Sequence, residues 1–333
     1  MQTKKLRWGI ISTAKIAREK LIPAIQQSEH CEVVAVSSRD ATQAAAFATA
    51  NNIPRSYGDY HQLLADPDID IVYNPLPNHL HVPWTIHALE AGKHVLCEKP
   101  IGLDVADTEK LIAAAKKYPH LRVMEAFMYR FHPQWATAKK MLDEGKIGHI
   151  NSVDAVFTYF NRDPKNVRNM PGIGGGGLLD IGCYCISACR YLFDREPNSV
   201  VGKLAMDEDF QVDKHAHGLL DFGDAQASIY CSTQSEPVQR VYVSGEHGSL
   251  LIEYPFYQPD DCGATLRFFH DREEEVIEFE PTNHYTLQVD ALAQAIAVNK
   301  PAPTPLSDAL ANMRVIDGLF SSAETGGWVN PKA

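Results

Sequence analysis

The tripeptide Glu98-Lys99-Pro100 sets a lysine where a short apolar run, His94 to Cys97, empties into a loop. That run follows the helix-ending pair Ala91-Gly92, so it reads as a parallel strand returning after its crossover helix. In open α/β sheets, ligands gather outside the carboxyl ends of such strands. A lone Lys-Pro would be a solvated loop cation with the proline opening the next helix. Two further clusters draw Lys99 into a pattern. Leu6 to Ile11 reads as a first strand, and Ser12-Thr13-Ala14-Lys15-Ile16-Ala17 opens an amphipathic helix running to about Gln27. A dinucleotide-binding fold turns its chain around a pyrophosphate at this point, with the fingerprint Gly-x-Gly-x-x-Gly/Ala. Its three small positions fall on Ser12, Ala14 and Ala17, and none is glycine. Close backbone approach then survives only if no residue there needs a positive φ. The second cluster ends the next β-rich run, Cys31 to Val36, in Ser37-Ser38-Arg39-Asp40. An acidic side chain there would bind the ribose 2′-hydroxyl of NAD, whereas an arginine accommodates the 2′-phosphate of NADP. Ser38 offers a hydroxyl and Arg39 a bidentate guanidinium suited to phosphate. Asp40 is the competing acid, and its place before the alanine-rich stretch 41–51 reads as a helix N-cap.

The elements that must position these residues alternate. Ile69 to Asn74 reads as a strand, Leu80 to Ala91 as a helix, His94 to Cys97 as a strand, Asp104 to Tyr118 as a helix and Arg122 to Ala126 as a strand, which predicts a parallel, doubly wound α/β sheet. Pro133 to Glu144 reads as a further helix closed by Gly145 and Gly148. The pattern then changes to alternating segments at 151–160, 199–205, 215–222, 225–233, 238–244 and 249–254, with Phe222-Gly223-Asp224 as a hairpin turn. These predict a largely antiparallel sheet. Leu178 to Phe193 reads as a helix interrupting it, and His284 to Val298 and Leu306 to Ala323 as closing helices. The expected division is a dinucleotide-binding domain over 1–126 and a substrate-binding and dimerisation domain over 127–333, the last helices returning to the first domain. Tyr230, Tyr242, Val243 and Phe268 are expected to make one face of the second sheet apolar and open, a surface for a homodimer or a dimer of dimers.

The 333 residues, 45% hydrophobic and 22% charged, suffice for two domains with sizeable cores. A net charge of -11 without a basic patch argues against nucleic acid as a partner. No apolar stretch is long enough to span a bilayer and no leader pattern is visible, so the expected location is the cytoplasm. Seven cysteines include the crowded Cys183, Cys185 and Cys189, but their spacing lacks paired Cys-x-x-Cys steps. Packed thiols are expected there, and no metal.

Over nearly its whole length the chain resembles the glucose-fructose oxidoreductase and inositol dehydrogenase (Gfo/Idh/MocA) family. The matching segments are Pro77-Asn78-His79-Leu80-His81, Glu98-Lys99-Pro100, 125–133 (Glu-Ala-Phe-Met-Tyr-Arg-Phe-His-Pro) and 174–184 (Gly-Gly-Gly-Gly-Leu-Leu-Asp-Ile-Gly-Cys-Tyr), in that order. Tyr184, four residues after Asp180, is similar to the branch containing dimeric dihydrodiol dehydrogenase, NADP-dependent D-xylose dehydrogenase and glucose-fructose oxidoreductase; inositol dehydrogenases carry His there. The resemblance implies a Rossmann domain followed by an open-faced β-sheet domain, and hydride transfer between a nicotinamide ring and a carbinol carbon. Such chemistry needs a group that takes the hydroxyl proton, and Tyr184 is the candidate. Lys99 would favour its phenolate, and Asp180, a helical turn earlier, would orient either partner. Taken singly, Asp180 would be a helix-terminus acid and Tyr184 a half-buried aromatic. The cofactor is expected to be NADP, held by Ser12, Thr13, Ala14, Lys15, Ile16, Ser37, Ser38, Arg39, Pro75, Leu76, Asn78, His79, Glu98, Lys99 and Arg168. Lys99, Arg130, His132, Asp180 and Tyr184 are expected to meet the substrate, although His132 reads equally as a buried, hydrogen-bonded histidine. The run Gly174 to Gly177 is expected to be a flexible approach to the substrate. The expected activity is an NADP-dependent dehydrogenase or reductase of a sugar, sugar lactone or cyclic diol, requiring no metal. The alternatives are a sugar-sugar oxidoreductase that keeps and recycles its NADP, and a non-catalytic dinucleotide-binding regulator.

Overall fold

The computed structural model describes residues 5–259 and 261–332. The chain forms two compact units, Met1–Met128 with Asn283–Ala309, and Tyr129–Thr282 with Leu310–Ala333.

In the first unit, strands β1 (Leu6–Ile11), β2 (Cys31–Ser37), β3 (Arg55–Tyr57), β4 (Ile71–Asn74), β5 (His94–Cys97) and β6 (Val123–Glu125) form one sheet in the order β3-β2-β1-β4-β5-β6, with every pair parallel. All four residues of β4 are buried, as a strand covered by helices on both faces requires. The helices are α1 (Ile22–Gln27), α2 (Ala41–Ala50), α3 (Tyr60–Leu64), α4 (His81–Glu90) and α5 (Val105–Ala115). A continuous core of Ile11, Leu63, Val72, Val82, Val95 and Leu111 joins sheet to helices. The strand order reverses between β1 and β4, which opens the ligand crevice of a doubly wound sheet at their carboxyl ends. Strand β3 and helix α3 are absent from the sequence reading because three and five residues are too short to show a period.

In the second unit the helices are α6 (Pro133–Asp143) and α7 (Cys183–Phe193), and the strands are β7 (Ile150–Phe160), β8 (Ser199–Met206), β9 (Asp213–Asp221), β10 (Gln226–Ser232), β11 (Gln234–Gly245), β12 (Gly248–Ile252), β13 (Ala264–His270) and β14 (Glu273–Phe279). They form a sheet in the order β14-β13-β12-β11-β7-β10-β9-β8, antiparallel except for the parallel pair β7 and β10. The predicted hairpin joins β9 to β10, with Gly223 at φ +92° and the Phe222 N–H donating to Ala225 O at 2.9 Å. No segment of the sequence reading delimits β13 or β14, although Phe268 is assigned to the sheet. Their hairpin turns on Asp271 and Arg272, at φ +50° and +66°, so the two left-handed positions carry no Gly or Asn to announce them. The run Glu273-Glu274-Glu275 also lacks β propensity.

Helix α7 packs on β7 and β10. Side-chain parity corrects one expectation about the opposite face. Val243 is fully buried and Phe268 nearly so, both on the covered side, while Tyr230 and Tyr242 stand on the other with Leu219, which is 47% exposed. Adjacent positions on a strand point to opposite faces, so Tyr242 and Val243 cannot share one. Helices α8 (His284–Ala297) and α9 (Leu306–Thr325) close the chain. No helix among the described residues is long and apolar enough to cross a membrane.

Candidate active site

Strand β1 delivers the chain into Ser12 at φ +68°, in the left-handed region. The condition that no residue of this turn take a positive φ is therefore not met. The pyrophosphate turn needs that backbone bend, and a serine holds it at a strain of roughly 1–2 kcal/mol that a glycine would not feel. Thr13 and Ala14 are half-buried, Lys15 is exposed beside Glu19, and Ile16 leads into a π-helical turn, Ala17–Leu21, that continues as α1. At the end of β2, Ser37 and Ser38 are buried, and the Ser38 Oγ accepts from the Asp40 N–H at 3.3 Å. Asp40 caps α2 by accepting from the Thr42 and Gln43 N–H groups at 2.8 and 3.1 Å. Its Oδ1 is thus committed to the helix, while Arg39 is exposed beside Tyr60.

The loop after β4 is held by Asn74, whose Nδ2 donates to His81 O and Thr85 Oγ1 and whose Oδ1 accepts from the Leu76 N–H. Pro75 and Leu76 are buried, and Asn78 and His79 form a short 3-10 turn. The Nδ1 of His79 is buried without a hydrogen-bond partner among the described residues. The His81 ring lies 2.7 Å from both Leu76 O and Pro100 O, tying this loop to the one that carries Lys99. Burial, with the nearby Lys99 charge adding to it, pulls the His81 pKa down to about 4. Glu98 accepts from the Tyr73 hydroxyl at 2.5 Å, and the Lys99–Pro100 bond is cis. The left-handed turn, the committed Asp40, the exposed Arg39 and the open Nδ1 of His79 fit a dinucleotide lying across the β1/β4 crevice.

In the second unit the glycine run leads into another π-helical turn, Leu178–Gly182, continuous with α7. Asp180 lies in this turn, and π-turns inside helices recur at functional sites. Its Oδ1 is paired with Arg168 Nε at 2.8 Å and its Oδ2 accepts from the Tyr159 hydroxyl at 2.5 Å. Burial first, and then the Asp180 charge, raise the Tyr159 pKa, so this phenol stays protonated and donating. Arg168, expected to face the cofactor, spends its Nε on Asp180, with 44% of its side chain exposed. Tyr184 is buried among Tyr129, Phe157 and Phe256, with ring centroids 5.8, 5.6 and 5.5 Å away.

The glycine run is a packed turn, not the flexible approach expected. A Cβ on Gly175 would come within 2.5 Å of Met170 O, and one on Gly176 within 2.0 Å of Asp213 Oδ1. Asp213, at the head of β9, accepts from the Leu178 N–H at 2.7 Å, so it and not Asp180 complements the amino end of this helix. Neither Asp213 nor Tyr159 was singled out in the sequence, where a lone Asp and a lone Tyr on strands carry no local signal. His132 is 1% exposed and its Nδ1 accepts from the Gln134 N–H at 3.2 Å, which makes it the cap of α6, as its reading as a buried, hydrogen-bonded histidine expects. Burial lowers its pKa to about 4. Arg130 donates to Ser187 Oγ at 2.7 Å and lies over the Tyr191 ring, bracing α7. Six of the seven cysteines are buried as packed thiols and Cys262 is exposed.

Residues 6–127 match the model of an oxidoreductase family with an NAD-binding Rossmann fold, and residues 135–251 match the C-terminal domain of the GFO/IDH/MocA proteins. A D-xylose 1-dehydrogenase (NADP(+)) of Haloferax volcanii is 35% identical over 96% of this chain and 98% of its own length. A trans-1,2-dihydrobenzene-1,2-diol dehydrogenase of Xenopus laevis is 36% identical over 68% of each chain. A 3-ketoreductase from Actinomadura kijaniata, solved with NADP and TDP-benzene, superposes with a TM-score of 0.90 at 30% identity, over 96% of this chain and 98% of that one. That ketoreductase has also been solved as a tyrosine-to-phenylalanine and as a lysine-to-alanine variant.

Proposed function

The chain belongs to the GFO/IDH/MocA oxidoreductase family, and from that premise we propose that it is an NADP-dependent dehydrogenase or reductase acting on a carbinol carbon of a sugar, sugar lactone or cyclic diol. NADP, when bound, supplies the nicotinamide carbon that accepts or returns the hydride. The observation that carries the reading is the Asp180 carboxylate, held by Arg168 and Tyr159 in the π-turn four residues before Tyr184. A buried anion clamped from two sides is costly to keep for stability alone, and its placement suits an orienting group in a proton-transfer site. Tyr184 takes the substrate hydroxyl proton during oxidation and returns it during reduction. Lys99, which the family resemblance pairs with this tyrosine, is the second residue the proposal assigns to the proton transfer. Tyr159 is unsuited to that task, because its own proton is held by Asp180.

For the cofactor, Arg39 and Ser38 bind the 2′-phosphate, and capping by Asp40 withdraws the one acid that would select NAD. Thr13 to Ile16, behind the Ser12 bend, would hold the pyrophosphate, and Pro75, Leu76, Asn78 and His79 would line the dinucleotide from the loop after β4. A homodimer forms through the outer face of the second sheet, where Leu219, Tyr230 and Tyr242 stand; a monomer in light scattering at micromolar concentration overturns that part. The activity is tested by following NADPH formation with aldoses and cyclic diols and NADPH consumption with lactones. Turnover with freely exchanging NADP is the expected result. NADP that survives desalting and turns over only with a second sugar indicates the self-recycling enzyme, and clear NADP binding with no turnover in either direction sinks the catalytic reading.

A further inference from the structure

Asp213 has a place in this site that neither the glycine pattern nor the Asp180–Tyr184 spacing discloses. It is 2% exposed, and among the described residues its carboxylate meets the chain where the glycine run becomes helix. One oxygen accepts from the Leu178 N–H at 2.7 Å, the Gly177 N–H also faces the carboxylate, and the other oxygen fills the space a Cβ on Gly176 would need. Gly177 has no side chain with which to cap the helix, so the cap comes from a strand 36 residues downstream (213 − 177). The same turn fixes both members of the Arg168–Asp180 ion pair: the Gly176 N–H donates to Arg168 O at 2.9 Å, and the Asp180 N–H donates to Gly176 O at 3.1 Å. Arg168 and Asp180 therefore hang on the one glycine that Asp213 presses against.

We propose that Asp213 is a positioning residue for the reaction, setting Asp180 and Arg168 relative to the helix that carries Tyr184 by clamping Gly176 and Leu178. The assignment rests on the reading of Asp180 and Tyr184 given above. It is separable from an ordinary stabilising role by a cost the fold bears. Burial lifts the Asp213 pKa to about 7, against the opposing N–H groups of Leu178 and Gly177 and with the Asp180 charge adding to the rise. Among the described residues the Cys231 thiol on neighbouring β10 also faces it, and burial keeps that thiol protonated. A carboxyl whose folded pKa lies above its unfolded value helps the fold most at low pH, and the fold loses that help as pH climbs through about 7. Above that pH the anion is retained against stability.

The test compares Asp213→Asn, Gly176→Ala, their double variant and Asp180→Asn, each as the whole protein with NADP. Asp213→Asn should unfold at the same or a higher temperature than wild type at pH 8, yet lose roughly ten- to a hundredfold in kcat with the KM for NADP unchanged. Gly176→Ala should lose a similar factor, and the double variant should lose little more than either single change, since both break one contact. If Asp213→Asn does not fold, Gly176→Ala carries the kcat comparison. Loss of melting temperature in step with kcat, or failure of both variants to fold, makes Asp213 a structural cap only and overturns the proposal. So does wild-type kcat in Asp213→Asn when Asp180→Asn is impaired. If Asp180→Asn itself turns over normally, the reading of the site has failed, and the role of Asp213 falls with it.

Discussion

The molecule contains two turns of the same design with opposite chemistry. Each leads into a π-helical turn continued by an α-helix: Ser12 to Ile16 ahead of Ala17–Leu21, and Gly174 to Gly177 ahead of Leu178–Gly182. The first stands where a glycine-rich fingerprint belongs and has no glycine, yet Ser12 adopts φ +68°. The second is all glycine, and Gly174 and Gly176 also lie at positive φ, +87° and +111°. What separates them is the neighbour. Gly176 has Asp213 Oδ1 within 2.0 Å of where its Cβ would be, so a side chain there must displace Asp213. Ser12 is only half-buried and keeps a side chain at the price of backbone strain. A positive φ by itself is a preference for glycine, whereas a positive φ against packed atoms is a requirement.

Behind the second turn the effects should be largest. Tyr184→Phe is expected to cut kcat by about a hundred- to ten-thousandfold while leaving NADP affinity nearly intact, with Lys99→Met similar and Asp180→Asn milder, because the proton carrier remains. Steady-state kinetics beside an NADP titration decides this. Near-normal turnover in Tyr184→Phe would hand the proton to Lys99 and reduce the second turn to a scaffold.

Behind the first turn the expected losses are in binding. Arg39→Ala removes a charge-assisted contact worth about 1.5–3 kcal/mol, roughly ten- to a hundredfold, and the loss should fall on NADP alone. Calorimetric titration with both cofactors measures it, and an equal loss of NAD affinity would mean that Arg39 contacts the adenine.

The smallest effect bears most directly on the two turns. Ser12→Gly should relieve the left-handed strain while adding freedom to the unfolded chain, for a net stabilisation of about 0.5–1 kcal/mol in urea unfolding. A destabilised Ser12→Gly would show that the serine hydroxyl holds the turn, and the contrast between preference and requirement would collapse.

Much of the fold was legible because it depends on near neighbours in the chain. The strands at 6–11 and 94–97 and the Asp40 cap were readable from apolar runs and the one residue type that suits a cap. The elements that escaped were those whose signal was missing, such as β13 and β14 behind a hairpin turned by Asp271 and Arg272. The candidate site divides in the same way. Lys99, Asp180 and Tyr184 stand in segments whose order along the chain carries the family resemblance, and that order is a property of sequence. The partners of Asp180 are not. Tyr159 comes from β7, 21 residues before it, and Arg168 from a short 3-10 turn; Asp213, which caps the same turn at Leu178, comes from β9, 35 residues beyond Leu178. Sequence by itself determined which residues can carry a proton, cap a helix or read a phosphate, because those capacities belong to a side chain and its near neighbours. Tertiary structure alone decided that the glycine run is packed and not loose, that His132 is a cap, and that Val243 turns inward. Each of these depends on which distant atom fills the adjacent space, and a strand or loop brought in from elsewhere in the chain supplies that atom.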